Sequence, residues 1–139
     1  MNPFVKKISG VALGLAAAAV PFASQAHHAF AAEFDAAKPV KLQGVITKVR
    51  FVNPHSWIYL DVKNPDGTVA NWGLEFGTPS SLETAGLTKE DVHPGAVVTI
   101  AGFKAKNGGN FGYSVQVTLP GGRTVHTGSA PDAPKAGGV

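Results

Sequence analysis

The sequence predicts a small all-β domain with one short helix, and three observations point to it. Residues 55–62 alternate, with Ile58, Leu60 and Val62 on one side and Trp57, Tyr59 and Asp61 on the other, the period of a half-buried strand. Asn64-Pro65-Asp66-Gly67 lies between that run and a second one, so it should return the chain antiparallel. Only one stretch, residues 78–86, carries a full set of helix signals: a capping hydroxyl at Thr78, Pro79 at the first helical position and Gly86 at the end.

The remaining elements follow in order. Residues 40–51 are rich in β-branched side chains and form a long first strand, with Gly44 as a bend or bulge and Asn53-Pro54 as its break. After the second strand, residues 68–76 place Ala70, Trp72, Leu74 and Phe76 on one face and Val69, Asn71, Gly73 and Glu75 on the other. The helix follows, Thr88-x-x-Asp91 caps a further turn, and His93-Pro94-Gly95 leads into a fourth strand over residues 96–103. A Gly-rich tip at residues 107–110 precedes a fifth strand over 111–119, and a short run at 124–127 closes an edge after Gly121-Gly122. Three strands, a helix and two strands is the element order of the OB-fold, so a small OB-like barrel of five to six strands, with the helix between strands 3 and 4, is the expected architecture. A differently paired six-stranded barrel, or a small sandwich with an inserted helix, would give the same pattern, because periodicity does not fix strand pairing.

The flanks read differently from the body. Residues 1–26 have a basic start ending at Lys6-Lys7, an apolar run over 8–20, and small residues at Ser24 and Ala26, the architecture of a cleaved export signal. The apolar run is shorter than the roughly 20 residues a spanning helix needs, so no membrane span is expected and the mature protein is placed in the periplasm or outside the cell. Cleavage after Ala26 makes His27 the new terminus; a competing Ala29-x-Ala31 site would start the chain at Ala32. Residues 27–39 read as an N-terminal arm pinned by Phe30 and Phe34, residues 40–127 as the β domain, and residues 128–139, mostly Ala, Pro, Gly and Ser, as a flexible tail.

Composition then removes several function classes. Once Lys6 and Lys7 leave with the signal, ten basic residues face nine acidic ones, which offers no cationic footprint for nucleic acid. There is no cysteine and the only methionine is Met1, which excludes disulfides, thiolate nucleophiles and thioether copper ligands. No Gly-x-Ser-x-Gly, His-Glu-x-x-His or phosphate-loop motif occurs, so no catalytic residues are assigned and an enzyme is not expected; a copper-dependent activity is the one catalytic alternative.

Several blocks carry a resemblance: His27-His28-Ala-Phe-Ala-Ala-Glu-Phe-Asp, Asn53-Pro54-His55-Ser-Trp-Ile-Tyr-Leu-Asp-Val, Asn71-Trp-Gly-Leu-Glu-Phe-Gly-Thr-Pro and Val92-His-Pro-Gly. Over roughly residues 27–127 the chain resembles a family of small exported bacterial proteins classed as a domain of unknown function. The resemblance implies an exported single domain and supplies no catalytic residues.

Two candidate sites follow from the residues themselves. A free N-terminal His27 offers its amine and imidazole to one metal ion, and His28 and His55 can add nitrogen, with Glu75 as a fourth ligand or as the acceptor that orients a histidine. Such a nitrogen-rich site favours Cu(II), provided the arm folds back onto the face that carries His55. The second candidate is the polar and aromatic face of strands 2 and 3, where Trp57, Tyr59 and Asn71, with Gly73 leaving room beside the rings, would bind a small envelope ligand or protein partner. Against it stands a structural role, in which Trp57 and Tyr59 lie beneath the arm with Phe30 and Phe34 packed on them. His93 reads as a loop residue and His126 as an edge-strand residue; the sequence leaves the oligomeric state open.

Overall fold

In the computed structural model, residues 30–135 are described. Residues 1–26, where an export signal is expected, and His27 and His28 lie outside the described residues. Over the described residues the fold is mostly β, with six strands and two short helices. A four-residue helix, α1 (Phe30–Glu33), opens the arm and runs directly into β1 (Phe34–Arg50). The strand therefore begins six residues ahead of the expected start at Val40. Residues 36–39 are exposed and the register shifts between Phe34 and Pro39, which is why this stretch shows no alternation.

No register shift falls at Gly44, where a bend or bulge is expected; the strand instead changes partner beside it. Up to Val45, β1 pairs with β4 (Val97–Ala105), and from Val45 onward it pairs with β2 (Trp57–Lys63). At this crossover a side chain on Gly44 would place its Cβ 2.5 Å from the Asp61 carbonyl oxygen, so only glycine fits. The register irregularity itself falls between Ile46 and Lys48.

The hairpin of β2 with β3 (Val69–Glu75) follows the predicted turn. Gly67 takes a positive φ of 88°, and Asp66 accepts hydrogen bonds from the Thr68 amide and hydroxyl. Between β3 and β4, α2 (Pro79–Thr84) is capped by the Thr78 hydroxyl, which accepts from the Ser81 amide at 3.1 Å. The Thr88–Asp91 turn is held by reciprocal bonds, and Asp91 also pairs with Arg123 at 2.6 Å.

Pairing continues from β4 to β5 (Phe111–Thr118), and β6 (Thr124–His126) adds to the edge of β5. A parallel contact between β3 and β5 completes the circuit, with Gly73 opposite Phe111, Leu74 opposite Gly112 and Glu75 opposite Tyr113. Strand pairing thus runs from β1 through β2, β3, β5 and β4 back to β1. Inside it lies the main apolar cluster, which includes Ile46, Ile58, Leu60, Leu74, Phe76, Ile100 and Val117. A second cluster, Phe30, Phe34, Phe103, Ala105, Tyr113 and Val115, fastens the arm to β4 and β5. Among the described residues no helix is long and apolar enough to cross a membrane.

Candidate functional site at the β3–β5 seam

Glu75 ends β3 with its side chain 7% exposed, a position a carboxylate occupies only when something compensates for lost water. The compensation comes from the loop before β2. A cis Asn53–Pro54 bond sits just ahead of His55, and the flanking backbone is tied to the end of β3 by Ser56 N–H to Gly77 and Phe76 N–H to Ser56. His55 Nδ1 lies 2.5 Å from Glu75 Oε1, so a proton lies between the two groups. Burial, and after it the charge of Glu33, push the Glu75 carboxyl from its ordinary 4.5 up to about 7. A charged His55 opposes that rise.

Two open clefts flank Trp57. The smaller, about 380 Å³, is lined by Glu33, Arg50, Val52, Asn53, Pro54, His55, Trp57 and Glu75. The larger, about 620 Å³, has walls from Phe34, Trp57 and Phe111 and a polar rim from Glu33, Lys106 and Asn107. Glu33 belongs to the arm, so the arm borders the cleft that contains His55 and Glu75.

The arm is held there by specific contacts. Phe30 stacks on Phe34 at 5.7 Å and meets the edges of Phe103 and Tyr113 at 5.5 and 5.3 Å. Lys106 adds its amide to the Glu33 carbonyl and its ammonium to the Ala31 carbonyl. The expectation that Phe30 and Phe34 cover Trp57 and Tyr59 needs correction: the two rings sit on Phe103 and Tyr113. Trp57 instead stacks with Tyr59 at 6.5 Å and meets the edge of Phe111 at 6.4 Å.

Placement of the remaining predicted residues is mixed. Tyr59 is half-buried opposite Gly73, with Lys48 5.8 Å above its ring. The room beside Gly73 is filled by Phe111, whose ring would lie 2.9 Å from any Cβ there. Asn71 shares the face but lines neither cleft: its amide donates to Asp61, Thr47 and the Leu60 carbonyl. Trp72, expected in the core, is half-buried at its margin beneath Lys104. His93 is exposed with Nδ1 2.9 Å from the Pro94 carbonyl oxygen, and His126 is exposed on β6.

Sequence reasoning missed Phe111, Lys106, Glu33 and Arg50. The first two reach the site through the β3–β5 pairing and the β4–β5 hairpin, neither of which periodicity reveals. Among the described residues no three His, Cys, Asp or Glu side chains are grouped so as to hold a metal ion. His55 and Glu75 are brought together; His27 and His28 lie outside the described residues.

The seam thus brings the arm, a buried carboxylate and its histidine to one cleft. Residues 14–114 match the family described as a family of unknown function (DUF6152), and the chain belongs to it. No curated protein matches the chain.

Proposed function

We propose that this protein is an exported, OB-like module that binds a metal ion, Cu(II) in preference, through His27 and His28 of its mature terminus together with His55 and Glu75. One observation carries the reading: the arm's Glu33 lines the same cleft as the His55–Glu75 pair. His28 precedes Phe30 by two residues, a span of about 7 Å when extended. Phe30 in turn packs on Tyr113, whose backbone pairs with Glu75. The proposal requires that the histidines just ahead of Phe30 reach His55, and a terminal amine with imidazoles is a donor set suited to Cu(II). Glu75 acts as a ligand, or as the acceptor at His55 Nδ1 that fixes the orientation of the ring. The circuit of strand pairs, with the helix between strands 3 and 4, supports the OB-like assignment. Native mass spectrometry of protein exported and processed in a bacterial host tests the proposal. One bound copper or other transition metal on a chain that starts at His27 supports it, and a metal-free chain after copper supplementation contradicts it.

The second reading is a small organic ligand, or a side chain of an envelope protein, held in the cleft between Trp57, Phe34 and Phe111. Its support is the volume of about 620 Å³ with aromatic walls and a polar rim, which is the size and character of small-molecule sites. A Trp72→Phe variant leaves Trp57 as the only indole, so its fluorescence in an envelope extract tests this reading. A saturable change favours it, and no change removes it.

A further inference from the structure

We propose that the segment after β6 is a clasp that positions the N-terminal arm, with Asp132 as its catch and Tyr113 as its anchor, so that the two ends of the chain form one cooperative unit. The proposal deepens the metal-binding reading and rests on it only for its consequence at the metal.

The chain from Gly128 onward has the composition of a tail, yet it makes contacts a tail would not. The Tyr113 hydroxyl accepts from the Ser129 amide at 2.8 Å and the Ala130 amide at 2.7 Å. From there the chain turns, closed by Ala133 N–H to the Ala130 carbonyl, with Ala130 and Ala133 packed on the second apolar cluster. That turn delivers Asp132 to the start of α1. One carboxylate oxygen accepts from the Phe30 amide at 2.9 Å and the other from the Ala31 amide at 3.1 Å.

These two amides open a four-residue helix that has no room to satisfy them internally. Asp132 thus caps the arm from more than 100 residues away. Tyr113 serves both ends: its ring packs edge-on to Phe30 and tilted against Phe34 while its hydroxyl holds the strap. Releasing the strap therefore releases the cap, while the arm keeps its ring contacts, the Lys106 bonds and the pairing of Phe34 with Ala105. The residues immediately ahead of Phe30 are the proposed metal-binding histidines, so the strap sets how well they are presented to His55 and Glu75.

The test measures amide hydrogen exchange of residues 30–34 in metal-free, processed, full-length protein, and Cu(II) affinity in the same preparations. Asp132→Ala removes the cap; Tyr113→Phe keeps the ring and removes only the strap's acceptor. Both should speed exchange of the Phe30 and Ala31 amides by about tenfold, with β2 and β3 amides unchanged. Both should weaken Cu(II) binding, whereas His55→Ala should weaken Cu(II) without altering exchange of the arm. Unchanged exchange in Tyr113→Phe overturns the clasp, because the strap would then not govern the cap. Faster exchange with unaltered Cu(II) affinity overturns its role in presenting the histidines. If the wild-type protein binds no Cu(II), the metal reading fails while exchange still decides the clasp.

Discussion

Replacing Glu75 with glutamine should change how stability depends on pH, and the direction follows from the site. The carboxyl titrates near 7 in the folded protein against an ordinary 4.5, because it is buried and faces the charge of Glu33. Between those values the folded state holds a proton that the unfolded state has lost. This raised carboxyl is therefore neutral at no cost below about pH 4.5, and it destabilises the fold progressively as pH rises from there to about 7, where the effect levels off. The full span corresponds to about 3 kcal/mol, an upper bound. Nδ1 of His55 at 2.5 Å offsets part of it wherever the imidazole is charged, so a net effect of about 1 to 2 kcal/mol is expected. Glu75→Gln keeps the shape and removes the charge. Urea unfolding of both proteins at pH 5, 6, 7 and 8 should show the variant gaining on the wild type across this window. A stability difference that stays constant with pH would refute the assignment of a raised, buried carboxyl at this position.

Other predictions concern the rest of the chain. Intact-mass analysis of exported protein should show a start at His27; a start at Ala32 removes both histidines and ends the terminal-chelate proposal. Trp72→Ala should cost more stability than Trp57→Ala, about 3 against about 2 kcal/mol, since Trp72 packs on the main apolar cluster whereas Trp57 lies between two open clefts with Tyr59 and Phe111 as its ring partners. Equal losses in chemical denaturation would contradict that division. The Asp132 carboxyl is held below its ordinary 3.8 by the Ala31 and Phe30 amides. Its contribution is present above 3.8 and is lost as pH falls through the lower folded value, so those two amide resonances should shift on acidification while β2 resonances stay fixed. A site that shows no such acid transition contradicts the cap.

How much of this was legible depended on whether the signal was local. The β2–β3 hairpin was readable because Ile58, Leu60 and Val62 alternate with exposed or half-buried partners and Asp66-Gly67 makes the turn. The same period placed Glu75 on the face of Trp57 and Tyr59, and the register confirms Trp57 opposite Glu75. The α2 helix was readable from Thr78 and Pro79 because capping is a local bond. What failed was non-local. The early part of β1 carries Lys38 and Pro39 in exposed positions, so burial leaves no imprint there. The parallel β3–β5 contact joins residues nearly 40 positions apart, and it alone brings Phe111 over Gly73 and beside Trp57. Asn71 lay on the right face, but its partner across the strand is Asp61, and that neighbour takes its amide. The contacts of Asp132 were invisible for a related reason: an Ala-, Pro- and Gly-rich segment gives no periodic sign of what it touches.

The most direct test of the metal-binding proposal is calorimetric titration of Cu(II) into three forms: the processed protein, the same protein with one extra residue before His27, and His55→Ala. The extension moves the free amine away from the His27 imidazole without removing any side chain. The proposal predicts tightest binding in the processed form, weaker binding in both variants, and loss of affinity as pH falls through roughly 8 to 6.5, where protons compete for the same nitrogens. Equal affinity in the extended form would contradict terminal chelation, and equal affinity in His55→Ala would remove the β3–β5 seam from the site.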